Sequence, residues 1–164
     1  MRKVLLFILA CLSCSCGYRM VGFGALPGGI KTVYVDIFEN NSGYSGADVY
    51  LNERFVFELS KYVKISSREN ADAILQGQIS EIKLSTASKK SSTSGYERRI
   101  TMTVNVGLIS RDGKRVLFQR KNLNEDYVFD VSTNNSDFSV PSTALSEVGD
   151  KISKKVSLLM MSDF

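Results

Sequence analysis

Histidine is missing from this 164-residue chain, and so is tryptophan. The first absence removes the commonest general base and the commonest transition-metal ligand. A serine–histidine catalytic pair is impossible; a serine–lysine pair stays formally open, and no spacing recommends one. The three cysteines are Cys11, Cys14 and Cys16. If the chain is processed there and the new terminus acylated, no free thiol remains for a nucleophile, a disulfide or a metal site. The apolar run at 4–12 has nine residues, too few to cross a bilayer that needs ~20. These absences together argue for a protein that binds or scaffolds rather than one that catalyses.

What is present begins with an export address. Arg2-Lys3 precede the apolar run, and Ser13-Cys14-Ser15-Cys16 follow it. Basic, apolar, small, cysteine is the order of a secretory signal that ends at a cysteine destined for lipid. The lipidated residue is expected at Cys16, giving a signal peptide at 1–15. Cys14 is the alternative, since it too has a small residue just before the cut. The mature chain then carries 19 basic against 17 acidic side chains, a formal +2. That balance does not indicate a nucleic-acid-binding surface.

Residues 17–29 are rich in glycine and read as a tether with a turn at Leu26-Pro27-Gly28-Gly29. The lipidated terminus and tether are assigned to 16–30 and a single domain to 31–164. Gly22-Phe23-Gly24 is not a dinucleotide loop, because Pro27 stands where the third glycine belongs and no strand precedes it. Val33, Val35 and Ile37 alternate and predict a strand with all three on one face. Ser45 and Asp48 have the spacing of a capping box, opening a helix to about Tyr62 with Leu51, Phe55, Leu59 and Tyr62 buried. A short strand is expected at 63–66.

A longer strand is expected from about 71 to 85. Its apolar positions change phase between Ile79 and Ile82, which predicts a bulge near Ser80-Glu81. Residues 85–95 are nearly all Ser, Thr, Lys and Gly and read as an exposed hairpin loop. Ile100, Met102, Val104, Val106 and Leu108 alternate through the clearest strand, 98–110. Asp112-Gly113 predicts a tight two-residue turn. Its partner strand holds Val116 and Phe118, then Leu123, Tyr127, Phe129 and Val131 in changed phase. Asn134-Asn135-Ser136 breaks it. Pro141 suits the first turn of a last helix whose stripe is Leu145, Val148, Ile152, Val156 and Leu159. The expected class is α+β. It is a two-layer sandwich, with one mixed, mostly antiparallel sheet of about four strands covered by two helices on one face.

Several segments, taken in order, resemble one family. They are Cys16-Gly17-Tyr18, Leu26-Pro27-Gly28-Gly29-Ile30, Val35-Asp36-Ile37-Phe38-Glu39-Asn40, Ala71-Asp72-Ala73-Ile74-Leu75-Gln76-Gly77, Glu97-Arg98-Arg99-Ile100-Thr101 and the Asp112-Gly113 turn. The chain is similar to the LPS-assembly lipoproteins, the LptE family of bacteria with two membranes. The resemblance implies a lipid-anchored protein on the periplasmic face of the outer membrane. It implies residence inside a large β-barrel, the LPS translocon LptD, as plug and assembly partner, with binding of LPS and no enzymatic activity or cofactor.

LPS carries phosphates that a basic cluster would attract. Lys89, Lys90, Arg98 and Arg99 flank one expected hairpin and are the candidate LPS-binding residues. Arg111, Lys114 and Arg115 surround another. Arg98 and Arg99 are neighbours on a strand and point to opposite faces, so at most one serves any single patch. The alternative function is a periplasmic lipoprotein that regulates a cell-wall synthase or joins a secretion assembly. The short stretch between Cys16 and the first strand favours the barrel reading over it.

Overall fold

The computed structural model describes residues 26–89, 95–132 and 140–162. Cys16 and Lys90, and the break at Asn134-Asn135-Ser136, lie outside the described residues. The elements are β1 (Thr32–Val35), β2 (Glu39–Asn40), α1 (Ala47–Leu59), β3 (Lys64–Ile65), β4 (Ala73–Lys89), β5 (Gly95–Ser110), β6 (Val116–Ser132) and α2 (Ser142–Ser162). The sheet runs β3-β1-β4-β5-β6, with β2 also on β4. Strands β1, β2 and β3 join in parallel, whereas β4, β5 and β6 form an antiparallel meander. The two-layer α+β sandwich is as expected, but the sheet has six strands rather than about four. The short strand expected at 63–66 is present as β3, and β2 is two residues long, too short to leave a periodic signal.

One face of the sheet is apolar because β5 alternates without a fault. Ile100, Met102, Val104, Val106 and Leu108 all turn inward and are buried. Strand β4 keeps step with it by a bulge: Ile79 pairs with Val104 and Glu81 with Thr103, leaving Ser80 as the extra residue. The phase change at Ser80-Glu81 is thus real, and the Ser80 hydroxyl donates to the Thr103 carbonyl at 3.0 Å. Strand β6 shifts likewise. Val104 pairs with Leu123 and Val106 with Arg120, so Lys121 and Asn122 oppose one residue. Asn122 takes a φ of 53° there, a left-handed conformation that asparagine tolerates.

The helices cover this face. In α1, Leu51, Phe55 and Leu59 are buried; in α2, Leu145, Val148, Ile152 and Val156 are. Met160 completes that stripe, and Leu159 is only half-buried. The Pro141 carbonyl accepts from the amides of Ala144 and Leu145, starting α2. Gly149 lets the helices close: a methyl group there would sit 3.5 Å from Arg54 Cγ and 3.6 Å from Leu51 Cα. Phe38 stacks on Phe55 with centroids 4.9 Å apart and an interplanar angle of 11°. Its ring lies over Gly77, where a Cβ would stand 2.4 Å from Phe38 Cε1.

Five local expectations need correction. Strand β1 stops at Val35, and Ile37 is 72% exposed rather than buried. The chain turns inward one residue later, burying Phe38. No capping box forms: Gly46 is the N-cap at φ 80°, without a side-chain cap. Asp48 instead accepts from Asn40 Nδ2 at 3.2 Å, which ties α1 to β2. Tyr62 lies beyond the helix, half-buried. Its hydroxyl donates to Glu58 at 3.2 Å, and burial, then the Glu58 charge, raise its pKa. The β5–β6 connection has five residues, not two. The Ser110 amide donates to the Arg115 carbonyl, and Asp112 Oδ1 accepts from the Ser110 hydroxyl and the Lys114 amide. Lastly, 85–89 and 95–97 are strand rather than loop. Backbone pairing extends the hairpin through Ser85↔Arg99, Thr86↔Arg98, Ser88↔Glu97 and Lys89↔Tyr96.

Candidate functional site

The other face of the sheet has no helix over it among the described residues. The same alternation that buries the even positions of β5 turns its odd positions outward. The register then writes the uncovered face as cross-strand rows. Glu39, Gln78 and Asn105 form one; Glu81, Thr103 and Asn124 the next; Lys83, Thr101 and Asp126 the third; Ser85, Arg99 and Val128 the fourth; and Glu97 with Asp130 continues the face beyond it. Toward the opposite end lie Gln76, Gly107 and Gln119, then Tyr34, Ile74, Ile109 and Val116. Gly107 leaves a gap in this surface, and a shallow hollow of about 610 Å³ forms around it, lined by Gln76, Gln78, Asn105 and Gln119 among others.

The outward side chains are amides, hydroxyls and charges of both signs. Charges are partly matched across the rows: Arg99 Nε lies 3.4 Å from Asp126 Oδ2. Lys83 Nζ is 2.9 Å from Glu81 Oε2. Only the end row is mainly apolar. There Ile74 is buried under its neighbours while Val116 is 64% exposed, and the Arg68 guanidinium lies 5.9 Å from the Tyr34 ring centroid.

The candidate LPS-binding residues fall at the far end of the meander. Lys89 is the last residue of β4, and its backbone pairs with Tyr96. Arg98 and Arg99 occupy opposite faces of β5: Arg99 on the open face beside Asp126, Arg98 on the helix side, in register with Thr86 and Phe129. Of Arg98 and Arg99, the two whose side chains are described, only Arg99 stands on the open polar face, with Asp126 as its partner.

At the near end, Arg111, Lys114 and Arg115 are exposed around the β5–β6 turn. Asp72 locks this end. Its carboxylate accepts from the Lys31 amide at 3.0 Å and the Thr32 amide at 2.9 Å, and its own amide donates to Thr32 Oγ1 at 2.9 Å. These hydrogen bonds, the Lys31 amide first, hold its pKa below the usual carboxylate value. The Ser110 hydroxyl, then the Lys114 amide, do the same for Asp112. Sequence reasoning missed the open face as a unit. Its only signal was the polar odd positions of β5, which any half-exposed strand would carry.

Among the described residues no group of three or more Asp or Glu could hold a metal, and no described helix is long and apolar enough to cross a membrane. The molecule so defined is a two-layer α+β domain that presents a broad, polar, uncovered sheet face. Residues 30–155 match the model of the lipopolysaccharide-assembly family, LptE. The chain belongs to that family.

No curated protein matches the chain. Solved structures are similar to it over most of its length. The PelC dodecamer from Paraburkholderia phytofirmans is 17% identical, covering 85% of this chain and 93% of that one, with a TM-score of 0.43. A minor lipoprotein from Acinetobacter baumannii is 13% identical over 81% and 94%, with a TM-score of 0.44. A hypothetical protein from Chlamydia trachomatis is 10% identical over 79% and 95%, with a TM-score of 0.48. Likenesses this distant carry no functional argument.

Proposed function

We propose that this protein is an outer-membrane lipoprotein, acylated at Cys16 and facing the periplasm. In this reading it occupies the lumen of an LPS-translocon β-barrel of the LptD kind, helps that barrel assemble, and takes part in delivering LPS to the outer leaflet. It works without catalysing a reaction, as its lack of histidine suggests. Family membership supports the pathway. The observation that carries the finer reading is the open face. A wide barrel has a polar interior whose wall alternates side chains with the same two-residue period as a strand. Rows of Gln, Asn, Thr and paired charges can exchange hydrogen bonds with such a wall, whereas an apolar face could not.

Extraction of the tagged protein in mild detergent tests this. It should bring one large β-barrel with it; recovery of a cell-wall synthase or a secretion ring instead would overturn the reading. LPS is the proposed ligand, met by the phosphate-attracting residues Lys89 and Lys90 together with one of Arg98 and Arg99, which face opposite sides of the sheet. Reversing Lys89→Glu and Lys90→Glu should weaken binding of purified LPS while the fold persists. Undiminished binding at moderate salt would remove this patch from the account.

A further inference from the structure

The domain is polarised in charge along its sheet. All the strand ends near 32, 64, 73, 110 and 116 lie together, because Thr32 pairs with Lys64, Val33 with Ala73, and Ala73 with Ser110. The segments 28–32, 60–64, 68–72 and 110–115 form this end. They hold seven basic and three acidic side chains, a formal +4. The other described residues hold ten basic and twelve acidic, a formal −2. Two of the seven cations are matched from outside the end: Lys61 by Glu58 and Arg68 by Asp36. Lys31, Lys64, Arg111, Lys114 and Arg115 are all exposed there. The end is also built firmly. Besides the Asp72 latch, the Arg111 amide donates to the Asp72 carbonyl at 3.2 Å and Arg111 Nη1 to the Glu69 carbonyl at 3.2 Å.

The chain enters the domain at this same end. Leu26 is 3% exposed and is bridged to Ile30, directly before Lys31 and β1. Nine residues separate Leu26 from Cys16. Extended at ~3.3 Å per residue, they hold the basic end within about 33 Å of an acylated Cys16. The far end of the meander stands about 50 Å further away, given 16- and 17-residue strands. Exposed charges act over a Debye length of about 10 Å, so they need an anionic surface brought close, and the tether supplies that proximity.

We infer that, before the domain enters the barrel, this basic end docks on anionic phospholipid headgroups of the membrane that holds the lipid anchor. The inference rests on the reading of Cys16 as the anchor. Headgroup phosphates accept from lysine and arginine by charge-assisted hydrogen bonds. Each cation near such a surface strengthens attachment roughly five-fold.

Amide hydrogen exchange of the purified lipoprotein, inserted in vesicles, tests it. In vesicles one-third phosphatidylglycerol, amides of 110–115 should exchange about ten-fold more slowly than in phosphatidylcholine alone. The difference should vanish in about 0.5 M salt. It should also vanish in the Arg111→Glu, Lys114→Glu, Arg115→Glu variant, while the amides of 97–104 stay unchanged in every vesicle. Equal exchange at 110–115 in both lipids overturns the inference. So does protection that arises only when LPS is added. The mass of the N-terminal peptide reads acylation of Cys16 separately, so a failed anchor and a failed docking face are told apart.

Discussion

The two faces of this sheet come from the same strands and differ in almost every physical respect. On the covered face, β5 contributes five buried apolar residues, and the two helices bury their stripes against them. On the open face, the alternate residues of that strand are Arg99, Thr101, Thr103 and Asn105, each partly or fully exposed. A covered face is specified by volume, because close-packed side chains tolerate neither gaps nor excess. An open polar face is specified by hydrogen-bonding chemistry and is nearly indifferent in the isolated molecule. Stability should therefore reside on one side and recognition on the other.

Substitutions can break or sharpen that division. The largest loss is expected for Phe55→Ala, which removes the ring stacked on Phe38. Denaturant unfolding should find about 4 kcal/mol less stability. Gly77→Ala follows, since its methyl would meet both Phe38 Cε1 at 2.4 Å and the Asn105 carbonyl at 2.6 Å. A cost of about 2 kcal/mol is expected, from overpacking rather than from a cavity. Thr101→Arg with Thr103→Arg should leave stability within about 0.5 kcal/mol per site, yet abolish recovery of the barrel in mild detergent. If instead this variant unfolds, or still recovers the barrel in full, the two faces are not divided as described.

The smallest effect concerns pH. The folded-state pKa of Asp72 is depressed, so its contribution to stability is complete above its unfolded pKa, ~3.9. It is lost as pH falls through the lower folded value. Urea midpoints of the native protein and of Asp72→Asn should therefore differ near neutrality and converge as the pH drops below about 4. A gap that widens in acid would contradict the latch.

The covered face could be read from the chain far better than the open one. The unbroken alternation of β5 and the phase change at Ser80-Glu81 both leave a periodic mark, since burial demands a repeat. Where burial is absent, the mark is absent too. Residues 85–89 pair as strand through backbone groups alone, and backbone hydrogen bonds have no side-chain signature. Asp112-Gly113 signals a turn but not its length, which the Ser110 hydroxyl and the Lys114 amide set by binding Asp112. Ser45 and Asp48 had the spacing of a cap. Asn40, eight residues before Asp48, was a better-placed donor, and only the fold brings it there. The near-end cations could be seen singly. That they share one end with the entry of the chain follows from the parallel pairing of β1 with β3 and β4.

One border of the sheet remains. Strand β6 pairs with β5 alone, and among the described residues no strand lies beyond it. Two lysines of α2 reach over this border: Lys151 Nζ donates to the Asp126 carbonyl at 2.8 Å, and Lys155 Nζ approaches the Asn124 carbonyl at 3.5 Å while pairing with Glu125. An open seventeen-residue margin would otherwise invite copies of the molecule to stack margin to margin. The lysines occupy two of the acceptors such stacking would use and put positive charge on the margin. The fold thus carries a guard against self-polymerisation.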